Sequence, residues 1–246
     1  MNITQVIEEM TVRLQALEQH GDHRVVFQRV YLLMTKEMKR RLEDGFFHDS
    51  EWMERVLVGF AQYYFEALDA YEKESLCPPA WKLALAQAQD KRGFVLQDAL
   101  LGINAHINSD LPLVLHAILD QDNDWSDSRV LYRRRQDHDR INDVLSDLVD
   151  QVQNELAQHY ARLIGMIDWM FGRKDEALSS FILAHCRTTV WTQTESLLNA
   201  SDHFERDDIR HQIEQGAYAI GRRIVDSRPL RLMKGIAPLT RRYRWF

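Results

Sequence analysis

Glycine and proline are scarce in this sequence, ten and five among 246 residues. Long loops are therefore expected to be few, because these two residues supply most turn conformations. Cysteine is scarcer still. Cys77 and Cys186 stand far apart and form no C-x-x-C pair, which excludes the usual thiolate metal motifs and makes a reduced, cytoplasmic protein the expectation. No apolar run approaches the roughly 20 residues of a membrane-spanning helix. The N-terminal stretch MNITQVIEEMTVRLQALEQH carries acids and has no basic segment followed by an apolar one, so no secretion signal is expected. Strand-type alternation of useful length, hairpin signals and fixed-period repeats are all missing. So are G-x-x-x-x-G-K-S/T, G-x-G-x-x-G, G-x-S-x-G and any Cys/His nucleophile context, which argues against nucleotide-driven and serine-hydrolase chemistry.

What is present is helical periodicity. Ile3, Val6, Ile7, Met10, Leu14 and Leu17 mark one amphipathic face. Val26, Val30, Leu33, Met34, Met38 and Leu42 mark a second, beyond Gly21-Asp22. Asp49 or Ser50 is placed to cap a third helix carrying Trp52, Val56, Phe60, Tyr63, Tyr64 and Leu68. That helix must stop before Pro78-Pro79. A short alanine-rich helix follows from Trp81, then the apolar run FVLQDALLGI. After the loop DQDNDWSDS a long helix is expected from about Asp137 to Phe171, another after Asp175, and a last one capped by Ser201 or Asp202 and ending near Val225. The expected fold is all-α, one domain over residues 1–246, a bundle of about seven or eight helices with an irregular C-terminal tail.

Hydrophobic residues make up 45% and charged ones 28%, as in ordinary globular proteins. The net charge of −6 argues against nucleic acid as a partner. The charge is uneven. Residues 221–246 hold eight Arg/Lys against Asp226 alone, +7, which leaves −13 on the preceding 220 residues. The tail is expected to lie back on the acidic body, or else to hold an anionic ligand or partner.

The stretch GINAHINSDLP, residues 102–112, breaks the pattern by placing polar side chains where a helix should be buried. His106 and Asp110 are four apart, and so are Asn104 and Asn108, so each pair shares a helix face. The two pairs lie roughly 160° apart around the axis. Either the helix is buried all round, or it breaks near Ser109 before Pro112, in which case Asp110 caps the next helix. A second block, RRRQDHDRIND, turns His138 to the same face as Ile141, Asn142 and Leu145. A third, LAHCRTTVWTQTESLL, pairs Arg187 with Trp191 at i,i+4.

Buried groups of this kind must satisfy one another, a metal or a ligand. His106 and His138 are expected to face one interior space. His106, His138 and Asp137 are the catalytic candidates. Asn104, Asn108, Arg140, Asn142, Arg187 and Trp191 are the binding candidates. His106, Asp110 and His138 are the candidate ligands of a divalent metal, Zn, Fe or Mn. No H-E-x-x-H, paired E-x-x-H or D-D-x-x-D motif strengthens the metal reading.

The blocks LLGINAHINSDLPLVL and DHDRIND, with the R-x-x-x-W of the third cluster, resemble a bacterial all-helical family of unknown function. Its members carry G-x-N-A-H-I-N-x-D-L-P and then D-H-x-R-V-N, with Ile141 here in place of valine. FAQYYFEAL and PPAWKLAL fit the same pattern. The resemblance implies a helical fold with His106, Asn108, Asp110, Asp137, His138, Arg140 and Asn142 as signature positions, and no particular activity. A weaker likeness is to the helical zinc-dependent phospholipase C and nuclease group, which also uses G-x-x-x-H-x-x-x-D; that group's N-terminal tryptophan ligand has no counterpart here. Two functions remain open. One is an enzyme acting on a small molecule, of the kind found in secondary metabolism, with an interhelical His/Asp/Asn site. The other is a non-catalytic binding or scaffold protein in which the buried polar network is structural.

Overall fold

The computed structural model describes residues 1–90, 95–145, 147–148 and 188–226, and among them the protein is all-α with no strand. Helix α1 (Ile3–Gln19) starts at a capping box, in which Asn2 accepts from the Gln5 amide and Gln5 accepts from that of Asn2. Helix α2 is Val25–Glu43 and α3 is Ser50–Glu72. Asp49 caps α3 through the Trp52 amide, as its position before the apolar stripe predicted. Helix α4 (Pro79–Gln89) opens on a proline in its first turn, where no amide is required. Helix α5 is Val95–Ala105, a π-helical turn covers His106–Asp110, and α6 is Leu111–Asp122. Residues 128–145 form α7, residues 188–198 form α8, and α9 is His203–Asp226.

One boundary differs from expectation. Helix α7 begins at residue 128 rather than near Asp137, because Asp127 accepts from the amides of Arg129 and Val130 and so starts the helix two turns earlier. The last helix ends at Asp226, close to the expected Val225, so residues 221–226, counted above with the basic tail for their charge, are its last turns. Arg187, and the tail beyond residue 226, lie outside the described residues.

The stripes read from the sequence meet in two adjoining cores. One joins α1, α2, α4 and α5 to the second half of α3, around Met10, Phe27, Tyr64 and Trp81. The other joins the first half of α3 to α6, α7 and α8, around Met53, Leu115, Val144 and Trp191. The long α3 spans both, and the π-turn falls where they adjoin, between Ala105 of the first and Leu111 of the second. Helix α9 covers α4 and α5 from outside. Its close approach depends on Gly221, where a Cβ would stand 3.0 Å from Leu83 and 3.4 Å from Asn104. Among the described residues no helix is long and apolar enough to cross a membrane.

Candidate functional site

The break in the sequence pattern is a change of helix type. Helix α5 does not stop before Pro112. It widens by one residue per turn, so that the Leu111 amide bonds the His106 carbonyl five residues back. In a regular helix the ring of Pro112 would crowd the carbonyl four residues before it. A π-turn opens the backbone at that place, and such turns often accompany functional sites. His106, Ser109 and Asp110 of the widened turn are buried, Ile107 and Asn108 are half-buried, and the two polar pairs meet different neighbours. Asn104 donates to the Ala217 carbonyl of α9 at 2.9 Å, and Asn108 donates to Asn104 Oδ1 at 3.0 Å. His106 and Asp110 turn the other way, towards α2, α3 and α4.

Asp110 caps nothing. Its backbone is helical and its side chain bonds no amide of α6. Instead Oδ2 accepts the indole N–H of Trp81 at 2.7 Å and lies 3.0 Å from His106 Nδ1. The His106 ring is stacked on Phe60 with centroids 3.4 Å apart, and Tyr31 meets it edge-on at 4.4 Å. Phe27, Tyr64 and Trp81 close the cage. Its second nitrogen, Nε2, is buried with no hydrogen-bond partner among the described residues. Gly102 makes the cage possible, since a Cβ there would come within 2.4 Å of the Phe27 ring.

Burial sets the protonation of this pair. It pushes the Asp110 carboxyl well above the usual carboxylate range; the Trp81 N–H opposes the rise, and the charges of Glu214 and Glu66 add to it. It pushes the His106 imidazolium well below its ordinary value. Both directions favour a neutral carboxylic acid beside a neutral imidazole over an ion pair. Burial likewise pushes the Tyr31 hydroxyl well above its ordinary value.

Asp110 is also a wall of a cleft of about 290 Å³ between α3, the π-turn and α9. The cleft's polar members are Tyr63, Glu66, Ser109, Asp110 and Glu214. The rest of the lining is apolar, from α3, α6 and the segment before α4. Asp110 and Ser109 are buried at its base, Glu214 is half-buried, and Glu66 is exposed. The sequence reading missed Trp81, Tyr63, Glu66 and Glu214. Trp81 opens an alanine-rich helix and Tyr63 lies on the apolar stripe of α3, so both read as core residues, and the two glutamates fall among ordinary charged positions on α3 and α9.

The D-H-x-R-I-N block sits elsewhere. Asp137, wholly buried, accepts from the backbone amides of His48 and Asp49 at 2.8 and 2.7 Å. Arg140 donates to the Phe46 carbonyl and lies over the Phe46 ring. Together they grip the segment that leads into α3. His138 packs against Trp191, whose N–H bonds Glu195. Asn142 Oδ1 is buried without a hydrogen-bond partner among the described residues. His106 and His138 therefore have different ring partners, one in the aromatic cage and the other on α8. Among the described residues, which include His106, Asp110 and His138, no three His, Cys, Asp or Glu side chains are placed to hold a metal ion.

No curated protein and no solved structure matches this chain. The model of one family matches residues 3–227, nearly the whole of the helical body described above. The chain belongs to that family, a family of unknown function (DUF5995).

Proposed function

We propose that the protein binds a small molecule in the cleft above Asp110 and acts on it by proton transfer, with Asp110 as the acid–base group and His106 and Trp81 holding it in place. The observation that carries the reading is the double situation of Asp110: it is bonded from behind by Trp81 and His106 and forms part of the cleft wall in front. A carboxyl group kept neutral by its surroundings, at the base of a small pocket, is a proton donor near neutral pH. His106, with a free nitrogen and a depressed pKa, is a neutral partner through which the proton on Asp110 can be shared.

The test is a fragment screen read by carboxyl and methyl NMR. Compounds that occupy the cleft should shift the signals of Asp110 and of Leu113, and Asp110→Asn should change their affinity. If every binding fragment maps elsewhere, or none moves the Asp110 signal, the reading fails.

A second reading has its own support. The His106 ring is packed so tightly against Phe60 that the pair also fits a network that fixes helix register. In that case Asp110→Asn alters stability and leaves fragment binding unchanged.

A further inference from the structure

We propose that the molecule taken by this cleft is a small organic cation, a primary amine or a guanidinium, held by Glu66 and Glu214 above Asp110. This rests on the reading of the cleft as a small-molecule site and adds the charge of what enters it.

Every charged side chain in the lining is an acid: Glu66, Asp110 and Glu214. Glu66, Asp110 and Glu214 line the same cleft, and the charges of both glutamates help to raise the Asp110 carboxyl. Neither glutamate has an ion pair among the described residues, although the surface of this protein is rich in them. Arg210, whose charge reaches Tyr63, stands outside the lining. Glu66 and Glu214 stand in a lining that holds no cation of its own, and a bound cation offsets their mutual repulsion.

The kind of cation follows from spacing and volume. The three acids do not converge as metal ligands. An ammonium or guanidinium group has several N–H donors and can reach carboxylates that are further apart. The space of about 290 Å³ is at the small end of ligand sites. The apolar wall, Ala67, Ala70 and Leu113, suits a short hydrocarbon portion. Depth divides the roles. Glu66 and Glu214 are at the outer part of the cleft and meet the charge, while buried Asp110 meets the next atoms of the ligand.

The test uses four probes of equal chain length on the full-length protein: n-butylamine, n-butylguanidine, n-butanol and butyrate, with Asp110 and Leu113 NMR signals as the readout. The two cations should shift these signals at lower concentration than the alcohol, and butyrate should not bind. The double variant Glu66→Gln/Glu214→Gln should weaken cation binding at least about tenfold, the loss expected when bonds to charged groups go. It should leave n-butanol unaffected, and the fold should stand, because Glu66 is exposed and Glu214 half-buried. If n-butanol or butyrate shifts the same signals as readily as the cations, the cleft remains a site and the cation assignment is overturned. Cation binding that is unchanged in the double variant overturns it as well. If none of the four moves the Asp110 signal, both the assignment and the reading beneath it fall.

Discussion

His106 Nδ1 lies 3.0 Å from Asp110 Oδ2 within a single π-helical turn, and burial drives the two groups in opposite directions, the acid up and the imidazole down. The pair is therefore stable in its uncharged form. The packing around it shows why. Five aromatic rings surround His106, and among the described residues the Trp81 N–H is the acid's one hydrogen-bond partner besides the histidine. A charge at this place would have little to solvate it.

Asp110→Asn imitates the neutral acid, and its effect should depend on pH. Asp110 has a folded pKa above its ordinary value of 3.8. Its contribution to stability is thus fully present below that value and is lost as pH rises through the folded pKa. The asparagine has no such loss. Wild type should lose stability relative to Asp110→Asn as pH rises from about 3.8 through the folded pKa. That relative loss should amount to about 1.4 kcal/mol for each pH unit by which the folded pKa exceeds 3.8. His106, pushed down, contributes stability above its ordinary value that is lost as pH falls, so the comparison is made between the two chains and not on one profile. Urea unfolding across the range measures it, and a gap that stays constant would contradict a raised Asp110.

Trp81→Phe keeps an aromatic ring and removes only the donor to Asp110. The bond is 2.7 Å long and buried, so its loss with the small void should cost about 2–3 kcal/mol. Because the indole N–H holds the Asp110 pKa down, the variant should raise it further. A carboxyl NMR titration reads that shift. An Asp110 signal that titrates lower in the variant would show that the tryptophan is not its stabilising partner.

The helices were legible in the sequence because each buries one stripe, and residues such as Met10, Leu14, Trp52 and Val56 declare that stripe by spacing alone. The Asp49 cap was legible for the same reason. The start of α7 was not. Its first two turns are dense in charge, Arg133, Arg134 and Arg135, and only Asp127 marks the beginning. Arg134 turns out to be buried, paired with Asp124 and Asp122. The His106–Asp110 pair was legible from its four-residue step. That spacing also showed that Asn104 and Asn108 point elsewhere, without showing that the helix would widen to bury both. Partners that come from other helices leave no local signal. Trp81 is 29 positions from Asp110, and Glu214 reaches the cleft only because α9 packs over the π-turn. The same holds for Asp137, whose polar block could be seen and whose target, the amides of His48 and Asp49, could not.

Two glycine substitutions should separate a required close approach from an idle glycine. At Gly102 a Cβ would stand 2.4 Å from a Phe27 ring that is already packed on Tyr64, Trp81 and His106. Gly102→Ala should cost about 1–3 kcal/mol, the usual penalty for overpacking, and should disturb the His106 signals. At Gly216, within α9, a Cβ would meet nothing within 4 Å. Gly216→Ala should be neutral or stabilise by up to about 1 kcal/mol through helix propensity. Thermal unfolding of the two variants checks the contrast, and equal effects would mean that Phe27 is free to move.

Asp137 supports the final prediction, because its position gives it a task that differs from chemistry in the cleft. Both its oxygens are occupied by backbone amides of the segment before α3, and Arg140 grips the Phe46 carbonyl of the same segment. Asp49, one of the two residues held, is the cap of α3. Losing the carboxylate strands one amide at least, which should cost about 1–3 kcal/mol. Asp137→Asn should therefore lower the unfolding midpoint in urea while n-butylamine binding to the folded protein stays as in wild type. Asp110→Asn, by contrast, should alter n-butylamine binding. If Asp137→Asn weakens binding at unchanged stability, Asp137 belongs to the ligand site, and the clamp on residues 46–49 is secondary to that role.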